Sequence, residues 1–132
     1  MDPKIFTLEE ASRFLPRIQQ ALKDLRRLRK AVESKKVEMD LLEIVGVPKA
    51  GVSIGADMSK EMSTLNELAM KFNSHLESLE DMGCQIKDLD QGLVDFYAVR
   101  EGRLVYLCWK EGEKSIQYWH TLDGGFAGRQ LL

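Results

Sequence analysis

The chain is short of cysteine and proline, carries almost no net charge, and has no long apolar run; each shortage removes a class of protein. Two cysteines in 132 residues, Cys84 and Cys108, lie 24 positions apart with no CxxC pair. They cannot form the disulfide framework on which small secreted domains depend. Met1–Phe6 is too polar and too short for a targeting segment, so a reducing, cytoplasmic setting is expected. No run approaches the roughly 18 apolar residues that span a bilayer. With 19 Lys+Arg against 21 Asp+Glu the net charge is -2, and the basic footprint of a nucleic-acid binder is missing. Neither a membrane nor a nucleic acid is therefore expected as a partner. No motif of known catalytic chemistry occurs, so no catalytic residue and no cofactor is assigned.

What is present is ordinary globular composition, 44% hydrophobic and 30% charged, with strong periodicity. Thr7-Leu8-Glu9-Glu10 is a capping box: the Thr7 hydroxyl accepts the Glu10 amide while the Glu10 carboxylate reaches back to the Thr7 N–H. Leu8, Ala11, Leu15, Ile18, Leu22, Leu25, Leu28 and Val32 then recur in steps of three and four, giving a helix over 7–45 with Pro16 as a candidate kink. Glycines and a proline between Gly46 and Gly55 predict a linker loop over 46–56. Met58, Met62, Leu65, Ala69, Phe72, Leu76 and Leu79 predict a second helix over 57–83, ended by Gly83. Two such helices joined by one loop form an antiparallel hairpin.

After Gly83 the period changes to that of strands. Leu93–Val99, Leu104–Trp109 and Ser115–His120 are rich in β-branched and aromatic residues, and Cys84–Lys87 is a fourth candidate. The expectation is an α+β fold: one domain over 1–132, a long antiparallel helical hairpin, then a three- to four-stranded antiparallel meander and a glycine-rich tail over 84–132.

Register depends on the turns. Arg100-Glu101-Gly102-Arg103 and Lys110-Glu111-Gly112-Glu113 share one form, and a two-residue type I′ loop would force Glu into positive φ. A three-residue loop with only Gly left-handed is therefore expected. It places Val94, Phe96, Ala98, Leu104, Tyr106, Cys108, Ile116, Tyr118 and His120 on the helix-facing side. Asp95, Tyr97, Val99, Val105, Leu107, Trp109, Glu113, Ser115, Gln117 and Trp119 fall on the other side, which is too apolar to be left in water. A second subunit, the C-terminal segment or a ligand would have to cover it.

Phe6-Thr7-Leu8-Glu9-Glu10-Ala11, Gly92-Leu93-Val94-Asp95-Phe96, Leu107-Cys108-Trp109, Tyr118-Trp119-His120 and Gly125-Phe126-Ala127-Gly128-Arg129 resemble the family called domain of unknown function 2203. The resemblance spans nearly the whole chain. It implies a small prokaryotic cytoplasmic protein with a helical N-terminal half, and it brings no activity and no catalytic residue.

The polar residues concentrate at the C-terminal end. Asp95, Trp109, Glu113, Trp119 and Arg129 form the candidate ligand site, where aromatic walls lie beside opposite charges; an Asp95–Arg129 ion pair would seal the same face. His120 and Asp123 are the candidate ligands for a divalent metal, with Glu113 or Asp95 completing the set. In the expected register His120 points away from Asp95 and Glu113, so a shared ion would need a different turn. Cys108, among Phe96, Tyr106 and Ile116, reads as a buried structural thiol. His75 on the helix flank and the basic run Lys23–Lys30 read as solvated. The leading functional expectation is a non-enzymatic interaction or scaffold module that self-associates as a homodimer, with a further protein partner allowed. The alternative is a small-molecule or divalent-metal-binding protein, with hydrolysis among its potential reactions, and its site at the C-terminal end.

Overall fold

The computed structural model describes residues 3–45 and 54–132. The expected linker over 46–56 lies mostly outside the described residues; its last positions, from Ile54 on, are already helical. Two helices, α1 (Leu8–Val45) and α2 (Ile54–Asp81), precede five strands: β1 (Gln85–Asp88), β2 (Leu93–Arg100), β3 (Arg103–Lys110), β4 (Tyr118–His120) and β5 (Gln130–Leu131). The sheet is an antiparallel meander in the order β1-β2-β3-β4-β5. The α+β class and helical hairpin expected from the sequence are those observed, with a fifth strand from the C-terminal tail. The chain divides into two compact units, Met1–Lys23 with Glu77–Leu132, and Asp24–Leu76.

In the second unit the two helices run antiparallel. Lys35 bonds Glu61 at 2.6 Å, while Arg29 and Val32 share a small hollow with Ala69 and Phe72. Rising numbers in α1 thus meet falling numbers in α2. Leu25 and Leu28 are buried, whereas Met62 of the α2 seam is half exposed.

In the first unit α1 opens with the capping box, Glu10 N–H donating to Thr7 Oγ1 at 3.1 Å and Thr7 N–H to Glu10 Oε1 at 3.4 Å. The helix continues through Pro16. Phe6 anchors its start: its ring meets Phe14 and Phe96 edge-on at 5.9 and 5.2 Å, and its N–H donates to the Tyr97 carbonyl at 2.7 Å. α2 ends before Gly83, whose φ of +95° turns the chain toward β1. A β-carbon at Gly83 would lie 2.9 Å from that of Lys4, so glycine also permits the N-terminal segment to pass.

The β2–β3 turn differs from the expectation and changes the faces. Arg100 pairs with Arg103, leaving the two-residue loop Glu101-Gly102, with φ of 52° and 76°, the type I′ signature. Glu101 therefore accepts a left-handed conformation costing roughly 1–2 kcal/mol. The compensation is packing. This register puts Val105, Leu107 and Trp109 beside Val94, Phe96 and Ala98 on the Phe6 side, and burying each large side chain contributes roughly 1.5–3 kcal/mol. The three-residue loop would have turned Leu104, Tyr106 and Cys108 inward instead, a poorer apolar set with a hydroxyl to satisfy. The β3 and β4 residues thus swap sides relative to the expected faces: Trp109 and Trp119 share the core side, and Tyr106, Cys108, Tyr118 and His120 join Asp95 and Tyr97 on the other. At the second turn only Gly112 is left-handed, and Ser115–Gln117 lie outside β4.

Replacing Glu101 by Gly should raise stability by about 0.5–1 kcal/mol, because relief of the left-handed strain exceeds the entropy that glycine adds to the unfolded chain. Urea denaturation measures it; a loss of stability would contradict the two-residue loop.

Candidate functional site

Strand pairing builds the site directly. Asp95 of β2 stands opposite Cys108 of β3, and Tyr106 of β3 opposite His120 of β4, so three neighbouring strands project Asp95, Cys108 and His120 from one face. All three are buried, Asp95 and His120 at 2% exposure each. One ligand-type atom from each, a carboxylate oxygen, a thiol sulfur and an imidazole nitrogen, lie within 4.8 Å of one another.

The hydrogen bonds specify the protons. His120 Nδ1 is 2.7 Å from the Thr121 carbonyl, and only an N–H can make that bond, so Nδ1 carries a proton. His120 Nε2 is 3.0 Å from Asp95 Oδ2. In the neutral ring fixed by Thr121, two lone pairs would face each other across that gap. A proton carried by one of the two atoms, or a metal ion, must lie between them. Asp95 Oδ1 is buried without a hydrogen-bond partner, which costs roughly 1–3 kcal/mol or more for a charged group. Burial first, and the neighbouring Asp95 charge second, push the Cys108 thiol up to about 12. A side-chain hydrogen bond to Asp95 adds to the shift and keeps the thiol protonated, which makes it a poor nucleophile.

The cluster forms the floor of a cavity of about 200 Å³. Leu93, Leu122 and Phe126 supply apolar walls, Tyr106 an aromatic one, and Lys87 and Asp123 add charge to the lining beside that of Asp95. Tyr106 donates its hydroxyl to Gln85 Oε1 at 3.2 Å, with the Lys87 ammonium 4.7 Å above its ring. The glycine-rich tail brings Phe126 over this face on a short 3₁₀ turn, Phe126–Gly128.

Of the residues selected from sequence, the structure gathers Asp95, His120 and Asp123 around this cavity. Asp123 Oδ1 accepts the Thr121 hydroxyl at 2.9 Å. Glu113 and Arg129 form a separate clasp: one guanidinium nitrogen reaches both Glu113 oxygens at 2.6 and 2.8 Å, and the guanidinium stacks 3.9 Å from Tyr118. Arg129 thus pairs with Glu113 where an Asp95 pairing was considered. Trp109 is fully buried on the opposite face, its indole N–H donating to the Glu113 carbonyl at 3.0 Å. Trp119, on that same face, lies 5.0 Å from the Arg100 guanidinium. The two tryptophans therefore do not line the cavity with Asp95. Sequence reasoning passed over Cys108, Lys87 and Phe126 as members of this site. The available signal was the pair of eight-residue strands flanking Glu101-Gly102, which in a two-residue loop sets Asp95 against Cys108.

The model of the family described as "Uncharacterized conserved protein (DUF2203)" matches residues 4–132. The chain belongs to that family. Its members carry no assigned activity in that description, so the site's chemistry has to be read from its own atoms. No curated protein and no solved structure matches the chain. Among the described residues no helix is long and apolar enough to cross a membrane.

Cys84, the other buried thiol, gives a pH test of the unit's packing. Burial raises it from 9.0 to about 11. Between those values the unfolded chain releases the proton that the folded chain keeps. The unfolded state then binds fewer protons, and stability falls as pH rises through the window. Urea unfolding from pH 9 to 11 should show a slope shallower by about one proton in Cys84→Ala than in the parent; equal slopes would show that the thiol is not sequestered.

Proposed function

We propose that the protein binds a divalent transition-metal ion of the zinc type through Asp95, Cys108 and His120. The observation that supports this reading best is the pair of lone-pair-bearing atoms, His120 Nε2 and Asp95 Oδ2, held 3.0 Å apart by a carbonyl-fixed tautomer, with Cys108 beside them. Tetrahedral bonds of ~2.0 Å set two ligand atoms about 3.3 Å apart, so this pair needs only a few tenths of an ångström of adjustment. The donor set of imidazole, carboxylate and thiolate suits zinc or cobalt rather than magnesium or calcium, which take oxygen alone. The Thr121 carbonyl acts as the outer partner that orients a metal-bound histidine. A bound ion also accounts for the orphaned Asp95 Oδ1, a buried carboxylate oxygen that has no hydrogen-bond partner in the metal-free arrangement.

Equilibrium dialysis against Zn²⁺ followed by elemental analysis should give one ion per chain, and Cys108→Ser or His120→Ala should weaken binding by at least about tenfold to a hundredfold. Absence of stoichiometric zinc in the parent, with Asp95→Asn unfolding the domain, would instead assign the cluster to a structural histidine–carboxyl clasp.

A second reading, self-association, is supported by apolar exposure in the helical unit, where Val37 is 57%, Leu41 53% and Met70 71% accessible. These apolar side chains lie off the two seams that face each other in the hairpin, and a homodimer would bury them. Sedimentation equilibrium at tens of micromolar protein should show a species of twice 15.1 kDa; a clean 15.1 kDa species would contradict it.

A further inference from the structure

Resting on the metal reading above, we infer that the ion keeps one coordination position open toward the cavity, and that this position takes the carboxylate or carbonyl oxygen of a small molecule with an apolar, ring-sized body. Three protein ligands leave one vertex of a tetrahedron unfilled, the arrangement by which zinc sites accept exogenous ligands. Asp95, Cys108 and His120 all come from the sheet floor, so the free vertex points away from the strands, into the cavity that the same three residues line. At about 200 Å³ that cavity has room for roughly six or seven waters at ~30 Å³ each, the volume of one ring and its attached polar group.

The charges narrow the class. A 2+ ion with the Asp95 carboxylate, the Cys108 thiolate and neutral His120 is electrically balanced, so it does not by itself demand a multiply charged ligand. Leu93, Leu122 and Phe126 offer carbon surface to the body of the molecule, while Lys87 supplies the positive charge in the lining that favours a single carboxylate; Asp123 opposes a second one. Phe126 is the wall best placed to discriminate. It is 45% exposed and is held from outside by Arg129 and Lys110, whose charges sit 4.8 and 5.3 Å from its ring. Those cations fix the ring without filling the cavity, and its truncation removes a wall without opening the core.

Protein loaded with Co²⁺ reports both layers separately, because a thiolate-to-cobalt charge-transfer band signals loading and the visible ligand-field bands signal a change at the open vertex. Titration with acetate and benzoate as probes should perturb the ligand-field bands, with the aromatic probe binding about tenfold more tightly. Phe126→Ala should retain the charge-transfer band and bring the two affinities close together. Loss of the charge-transfer band in the parent would refute the metal reading itself. A loaded protein whose bands neither probe moves would show a closed coordination sphere and overturn the inference. Equal affinities for both probes in the parent, or an aromatic preference unchanged in Phe126→Ala, would overturn the proposed ligand class.

Discussion

The register of β2 against β3, fixed by the left-handed pair Glu101-Gly102, is the constraint on which the first unit depends. Side chains alternate along a strand, so a one-residue change in the loop would send every β3 side chain to the other face. With the observed loop, Val105, Leu107 and Trp109 complete the apolar layer around Phe6 and Phe96, and Cys108 comes to lie opposite Asp95. Core and candidate site are thus two consequences of one turn. The strain at Glu101 is small against the burial it makes possible, which is why a residue poorly suited to positive φ is found there.

The second face of the sheet is covered from within the chain. Arg129 stacks on Tyr118 and grips Glu113, Phe126 leans over the Asp95–Cys108–His120 floor, and Leu132 N–H donates to the Gln117 carbonyl at 2.9 Å. The tail thereby walls a cavity over polar groups that a sheet of this size would otherwise expose to water. Burial of those groups has a physical cost that an ordinary apolar face would avoid. A buried carboxylate with one oxygen unpartnered is costly for packing alone, and it stands beside a thiol and a histidine fixed in one tautomer, a donor set that suits a borderline-soft cation.

Much of this was legible from sequence because the signals were local. The capping box at Thr7–Glu10, the helical seam from Ala11 to Leu28, the stop at Gly83 and the meander of β-rich segments all follow from neighbours within a few residues. Asp95, His120 and Asp123 were identifiable as polar residues in an apolar context. Their assembly was not, since two loops fit Glu101-Gly102 and the local cost of left-handed Glu pointed to the wrong one. Only the packing summed over all of β3 decides between them. For the same reason Cys108 looked like core: its neighbours in sequence are apolar, whereas its neighbours in space are Asp95 across the ladder and His120. The β5 strand was invisible for another reason, being two residues long and stabilised by pairing with Tyr118 and Trp119 rather than by propensity.

Cys108, His120 and Asp95 are proposed to converge on a single ion as thiolate, imidazole and carboxylate. X-ray absorption at the zinc edge of the zinc-loaded protein tests this convergence most directly. The expected first shell has one sulfur at about 2.3 Å and two or three nitrogen or oxygen atoms at about 2.0–2.1 Å, and loses its sulfur component in Cys108→Ser. A shell of nitrogen and oxygen alone, unchanged by Cys108→Ser, would contradict it.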